Sequence, residues 1–167
     1  MKKLFFLLSA MILSLQAMAQ EARFGYFSYD SVFHAIPAYA IAEHNVAKLR
    51  QQYEAEAKRA EAEFNTKYEE FLDGQKDYAP SILEKRQQEL RDLLAKNVAF
   101  KEQSKLLLAQ AEADAMRPLH AKIASAVAKL GVQKGFAFIL NTDGNAVPYV
   151  NEALGEDVTD ELKLLTR

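Results

Sequence analysis

The sequence predicts an α+β protein, a small strand-built body carrying one long antiparallel α-helical hairpin. Three observations predict it. Residues 38–72 contain neither Gly nor Pro and place apolar or small residues at helical spacing. After one short break, a second helical stretch returns from Pro80. Short aromatic and β-branched segments sit at both ends of this helical centre.

Composition narrows the class further. The 167 residues are 50% hydrophobic and 26% charged, with 6 Gly, 4 Pro and no Cys or Trp. A disordered chain would need fewer apolar residues. A disulfide scaffold or a thiolate zinc site would need cysteine, which is absent. So few Gly and Pro point to long uninterrupted elements.

Lys2 and Lys3 followed by the apolar run Leu4–Leu15 and by Ala17-Met18-Ala19 read as an export signal over residues 1–19, cleaved after Ala19. The run is too short for a membrane anchor, which needs roughly 17–25 apolar residues. The remaining 148 residues carry 19 basic and 23 acidic side chains, a net charge of −4. The expected product is an exported soluble chain, periplasmic in a bacterium with two membranes.

Arg23–Tyr29 reads as a first strand, and Asp30 or Ser31 as the cap of a short helix over Val32–Ile36 that Pro37 ends or bends. Ala42, Val46, Leu49, Tyr53, Ala57, Ala60, Phe64, Tyr68 and Phe71 then recur every 3.6 residues on average, one face of a helix over Ile41–Leu72. Gly74 is expected to end it in the left-handed conformation. Pro80 suits the first turn of a second helix, with Ser81 and Glu84 as a capping box. Its apolar positions include Leu83, Leu90, Leu94, Val98, Leu108, Ala111 and Ala115. Pro118 is expected to kink the chain at a joint between arm and body, and Gly131 to end the helix. Phe136–Leu140 and Ala146–Val150 read as strands of a hairpin around Asp143-Gly144, with Pro148 marking an edge or irregular strand. Thr159 or Asp157 would cap a last helix over Asp160–Leu165. The domain assignment is therefore a body from residues 20–37 and 118–167 and an arm from 38–117.

Function is harder to read. His34, His44 and His120 lack ligand spacing, no phosphate-binding loop is present, and Asp143-Gly144-Asn145 lacks the acidic positions of a calcium loop. No enzyme activity, metal or cofactor is expected. Residues 38–117 carry 15 acidic and 13 basic side chains, so there is no basic stripe for nucleic acid. The end segments are too small to fold alone, which implies an obligate homo-oligomer joined through the strands, with Phe24, Tyr26, Phe136, Phe138 and Leu140 at the junction. On the arm, Tyr53, Phe64, Tyr68, Phe71, Tyr78, Ile82 and Leu83 are more apolar surface than two helices can bury, and are the candidate binding residues.

The segments Phe24–Phe33, Gly135–Asn141, Asn145–Tyr149 and Asp157–Leu162, in this order around a long charged hairpin, resemble the Skp/OmpH family of periplasmic chaperones. The resemblance implies a homotrimer whose strands form a central body and whose arms enclose a cavity. It implies an ATP-independent holdase that keeps unfolded outer-membrane β-barrel proteins soluble. The family's best-known members are strongly basic, whereas this chain has a pI near 6.0, which gives no basis for carrying over a lipid site. The alternative reading is an envelope coiled-coil adaptor or structural spacer.

Overall fold

The computed structural model describes residues 23–167. The expected export signal, residues 1–19, lies outside the described residues. In chain order the elements are β1 (Phe24–Phe27), α1 (Tyr29–Ala35), α2 (Pro37–Gly74), α3 (Pro80–Lys134), β2 (Ile139–Asn141), a 3₁₀ turn (Asp143–Asn145), β3 (Gly155–Asp157) and α4 (Thr159–Leu165). The described residues fall into two compact units: a body of Arg23–Ala35 and Lys122–Arg167, and an arm of Ile36–Ala121.

The body is built on a three-stranded sheet of order β2-β1-β3, parallel throughout. Gly25 pairs with Ile139 on one side of β1 and with Glu156 on the other. The expected hairpin is therefore absent: β2 and β3 are not neighbours, and Ala146–Val150 forms no strand. Pro148 has no N–H for a ladder there. Asp143-Gly144 turns the chain in another direction, with Gly144 at φ 67° and Asn145 at φ 59°. The side chains of this turn are committed to α1. Asn141 Oδ1 accepts the Tyr29 N–H at 3.2 Å and Asp143 Oδ2 accepts the Asp30 N–H at 2.7 Å. Ser28 Oγ accepts the Ser31 N–H at 3.1 Å. The cap of α1 is thus Ser28, in place of the expected Asp30 or Ser31, and all three first-turn N–H groups have side-chain acceptors.

One face of β1 is buried through Gly25 and Phe27. Gly131 of α3 lies 3.5 Å, measured from an ideal Cβ, from Ile139 on that same face. Val32, Ile123, Leu130, Val158 and Leu162 complete a core that is almost fully excluded from water. Gly131 is inside α3, which runs four residues further than expected. Gly135 ends it at φ 66°, where the Phe136 N–H reaches Gly131 O at 3.0 Å and the Gly135 N–H reaches Val132 O at 3.2 Å. That pair of bonds is the Schellman termination, and the left-handed position it needs is Gly135. At α4, Asp157 Oδ1 accepts the Thr159 N–H, while the Thr159 hydroxyl accepts the Ser28 N–H.

In the arm, Pro37 opens α2 at its first helical position. Gly74 is helical, contrary to expectation, because the turn beyond it continues through Gln75 in the right-handed region. Its lack of a side chain serves a close approach: a Cβ at Gly74 would collide with the Tyr78 hydroxyl and ring. Ser81 is likewise no cap, since α3 starts at Pro80 and Ala79 O receives the Ile82 and Leu83 N–H groups. The helix continues through Pro118, whose missing N–H leaves the Asp114 carbonyl without its usual donor.

Candidate functional site

Contacts across the arm fix the pairing of α2 and α3. Tyr53 and Phe100 meet edge to face at 6.2 Å between ring centroids. Asn97 Nδ2 donates to Ala60 O at 2.9 Å, Lys101 Nζ lies 3.2 Å from Glu61, and Arg50 lies 3.9 Å from Glu112. The earlier part of α2, at Arg50, meets the later part of α3, at Glu112, and Ala60 meets Asn97, which makes the pair antiparallel.

Along the expected row of α2 the shielded positions are Ala42, Val46, Leu49, Tyr53, Ala57, Ala60, Phe64 and Phe71. These are the expected ones except for Tyr68, which is 45% exposed. On α3 the seam keeps the expected Leu83, Leu90, Leu108, Ala111 and Ala115 but departs from the expected Leu94 and Val98 in its middle. It passes through Leu83, Leu90, Leu93, Asn97, Phe100, Ser104, Leu108, Ala111 and Ala115. Leu94 and Val98 stand outside it, 50% and 55% exposed. Two polar residues take seam positions because each finds a partner there: Asn97 on the Ala60 carbonyl, and Ser104 Oγ donating to Phe100 O at 2.7 Å.

The seven candidate binding residues do not form one surface. Phe64 and Tyr68 stack at 5.9 Å with planes 7° apart, and Phe71 and Tyr78 meet at 6.4 Å. Tyr78 also donates to Glu70 O at 3.4 Å. Leu83 is half-buried and Ile82 exposed. The cleft beside Phe71 and Tyr78 holds only about 70 Å³, far below the several hundred needed by a small-molecule site. A larger groove of about 350 Å³ opens between the helices over Tyr53, Ala57, Ser104 and Leu108, rimmed by Arg50, Glu54, Lys101 and Lys105. Leu106 and Leu107 are exposed and were not anticipated as surface. Three successive leucines, 106–108, carry the signal, because residues 100° apart cannot all face one seam.

The body offers a second apolar surface. Phe24 stacks on Phe138 at 5.5 Å, 17° from coplanar, and Tyr26 is in register with Leu140. These four share the sheet face opposite Gly25 and Phe27. Phe24, Tyr26 and Leu140 are half-buried and Phe138 is 49% exposed. Partial desolvation, then the charges of Glu152 and Asp157, raise the Tyr26 phenol above its ordinary pKa. Phe136 is on the other side, its ring packed where a Cβ at Gly25 would stand 2.9 Å away. The body is pinned by Lys134, whose Nζ lies 2.6 Å from both Glu156 and Glu161. The Glu156 bond first, then the Glu161 bond, hold the Lys134 pKa above the usual lysine range.

Among the described residues there is no group of three or more His, Asp or Glu side chains placed to hold a metal. No helix among them is long and apolar enough to cross a membrane. The surfaces present are suited to reversible contact with apolar side chains, rimmed by charge.

A family model described as outer membrane protein (OmpH-like) matches residues 23–164. A solved structure from Caulobacter crescentus, described as that of a candidate OmpH-like outer membrane chaperone, superposes with a TM-score of 0.72. It is 14% identical, and the match covers 86% of this chain and 83% of that one. At that identity the likeness concerns the fold. No curated protein matches.

Proposed function

The chain belongs to the OmpH-like family, and on that premise we propose that it is a periplasmic holdase chaperone for unfolded outer-membrane β-barrel proteins. It works as a homotrimer, without ATP, after residues 1–19 are removed. The body, 20–37 with 118–167, joins three copies through the sheet, and the arms, 38–117, receive the client in the space between them. The observation that carries this reading is the apolar surface left on a long, charge-covered hairpin, with Tyr68, Leu94 and Val98 each about half exposed. Single contacts of this size are weak, and many together lower the free concentration of an unfolded chain while leaving it able to depart. Release follows when the client folds into the membrane.

The test is dilution of a urea-unfolded outer-membrane barrel protein into nucleotide-free buffer containing residues 20–167, read by light scattering. Suppressed aggregation at near-stoichiometric trimer supports the holdase. Undiminished aggregation at several-fold excess of the assembled protein overturns it. The assembly mass is measured alongside by light scattering after size exclusion.

A further inference from the structure

The charge of the body is unevenly placed. Residues 115–142 contain no Asp or Glu, yet hold Arg117, Lys122, Lys129 and Lys134, in a chain whose acids outnumber its bases. Helical spacing puts Lys122, Ser125, Lys129 and Val132 along one side of the part of α3 that belongs to the body. Between that side and α4 lies a cleft of about 290 Å³, lined by Lys122, Ser125, Ala126, Lys129 and Leu165. None of these is acidic, whereas the two arm clefts described above are bordered by Glu70 and Glu89 and by Glu54 and Glu102. Ala126 is buried and forms the floor, and Leu165 is 50% exposed.

The donors of this cleft are not spent elsewhere. Lys134 is held by Glu156 and Glu161, and Lys163 by Asp160, but Lys129 has no carboxylate partner among the described residues. Lys122 Nζ donates to Arg167 O at 2.9 Å, which holds the ammonium beside the end of α4 and leaves two N–H groups for another acceptor. Thr66 and Ser104 bond back to carbonyls of their own helices, Ala62 O and Phe100 O. The Ser125 hydroxyl makes no such bond among the described residues. One turn beyond Lys129 stands Val132, 86% exposed, the most exposed large apolar side chain among the described residues.

We infer that the side of α3 bearing Lys122, Ser125, Lys129 and Val132, with Leu165 beside it, is the docking site for a short, extended, acidic peptide segment of a partner protein. Lys122 and Lys129 are about 10.5 Å apart along α3 at 1.5 Å per residue. Carboxylates three residues apart on an extended chain are about 10 Å apart at 3.3 Å per residue, so each meets one lysine. An apolar side chain between them enters the cleft over Ala126, and one after the second meets Val132. Charge complementarity selects this occupant. Exposed ion pairs contribute little singly, but here two carboxylates enter a row that holds no competing acid, and Ser125 adds a donor. A bilayer is a poorer match. It approaches as a plane and also meets the exposed acids of the body, such as Asp160, whose side chain is 94% exposed. The inference stands on the body alone and does not require the holdase reading.

The test is fluorescence anisotropy of two pentapeptides, fluorescein-labelled at the N-terminus and amidated at the C-terminus, titrated with the assembled protein. Glu-Leu-Ser-Glu-Leu has the spacing described, and Leu-Leu-Ser-Glu-Glu has the same composition with adjacent carboxylates. The first should bind at least fivefold more tightly than the second. Its affinity should fall at least tenfold in Lys129→Glu, about threefold in Val132→Ser, and less than twofold in Lys76→Glu, which makes the same charge change in the arm. All three positions are exposed, and circular dichroism checks that helix content is kept. Equal binding of the two peptides, binding of neither, or equal losses in Lys129→Glu and Lys76→Glu overturns the inference, because then only net charge is recognised, or nothing. Two further measurements decide between occupants. A fall in assembly mass on Lys129→Glu would show that a second copy covers the row. Phosphatidylglycerol vesicles that bind more tightly than the peptide and are lost in the same variant would show a lipid surface. Either result overturns the inference, whereas an unchanged mass and no vesicle binding sensitive to Lys129 support it.

Discussion

Asp143 Oδ2 accepts the Asp30 N–H at 2.7 Å, across 113 residues of sequence. With Asn141 and Ser28 it supplies the acceptors for the first turn of α1, so the loop after β2 is tied to the helix after β1. A carboxylate at a helix N-terminus gains from both the hydrogen bond and the helix dipole. Asp143→Ala should therefore cost the body about 1 kcal/mol, a fall of about 2–4 °C in Tm. Thermal unfolding followed by circular dichroism measures it. An unchanged Tm would mean that water replaces the carboxylate without loss.

Gly74 and Tyr78 give a change of sign. Gly in a helical conformation is normally improved by Ala, by about 0.5–1 kcal/mol. Here the added methyl collides with the Tyr78 ring, which is held by Phe71 and by its hydroxyl on Glu70 O. Gly74→Ala should destabilise the wild-type chain and stabilise the Tyr78→Ala chain. A double-mutant cycle on denaturant midpoints reads the coupling, and the same sign in both backgrounds would remove the proposed role of this glycine.

These positions show what could be read in advance and what could not. The α2 seam was legible from apolar spacing alone because its shielded residues are nearly all apolar or small. The α3 seam was legible at its two ends, at Leu83, Leu90, Leu108, Ala111 and Ala115, but not in its middle, because Asn97 and Ser104 occupy it there and periodicity counts polar residues as surface. Their hydrogen bonds to Ala60 O and Phe100 O depend on the folded geometry. That shift moved Leu94 and Val98 from the expected seam to the surface, which is why the candidate site was only partly legible. In the body, the regions of β1 and β2 were readable, whereas the third strand is Gly155–Asp157 and not the expected Ala146–Val150, and the strand direction was not readable. The Asp143-Gly144 pair is a sound local turn signal, yet its side chains were claimed by a helix remote in sequence. The predicted hairpin gave way to a parallel sheet.

Asn97 should contribute register to the arm. Its amide bond to Ala60 O is possible only when the two helices are correctly aligned, the role known for single polar residues in helical seams. Asn97→Ala should destabilise the arm by about 1 kcal/mol and raise amide exchange in residues 53–64 and 93–104 relative to the body. Uniformly faster exchange in arm and body alike would show instead that the effect is global.

Lys134 makes a testable pH dependence. Its folded-state pKa is raised, first by the Glu156 bond and then by the Glu161 bond. The charged form is thus favoured more in the folded chain than in the unfolded one. The stabilisation is full below the unfolded lysine value of about 10.4 and is lost as pH rises through the higher folded value. Lys134→Met should lower Tm at pH 8, and the gap to wild type should close as pH climbs beyond that folded value. Parallel Tm curves across the alkaline range would mean that the two glutamates contribute no such linkage.

Phe138 and Phe136 are two residues apart and should fail differently. Phe138 stacks on Phe24 on the sheet face that also carries Tyr26 and Leu140, and about half of it remains accessible in the single chain. Phe136 packs on the Gly25 side, where it covers the sheet beside the body core. If the half-exposed face is where the copies meet, Phe138→Ser removes apolar area chiefly from the assembly. The chain should keep its Tm when dilute and monomeric, while the mass measured by light scattering falls from trimer to monomer at micromolar concentration. Phe136→Ser takes a ring from the packed side and should lower stability by about 3 kcal/mol, the low end for large-to-small core changes. Dissociation then follows only as a consequence of unfolding. A Phe138→Ser protein that stays trimeric on dilution would place the oligomer contact elsewhere on the body, and the open edges of β2 and β3 would be the next surfaces to substitute.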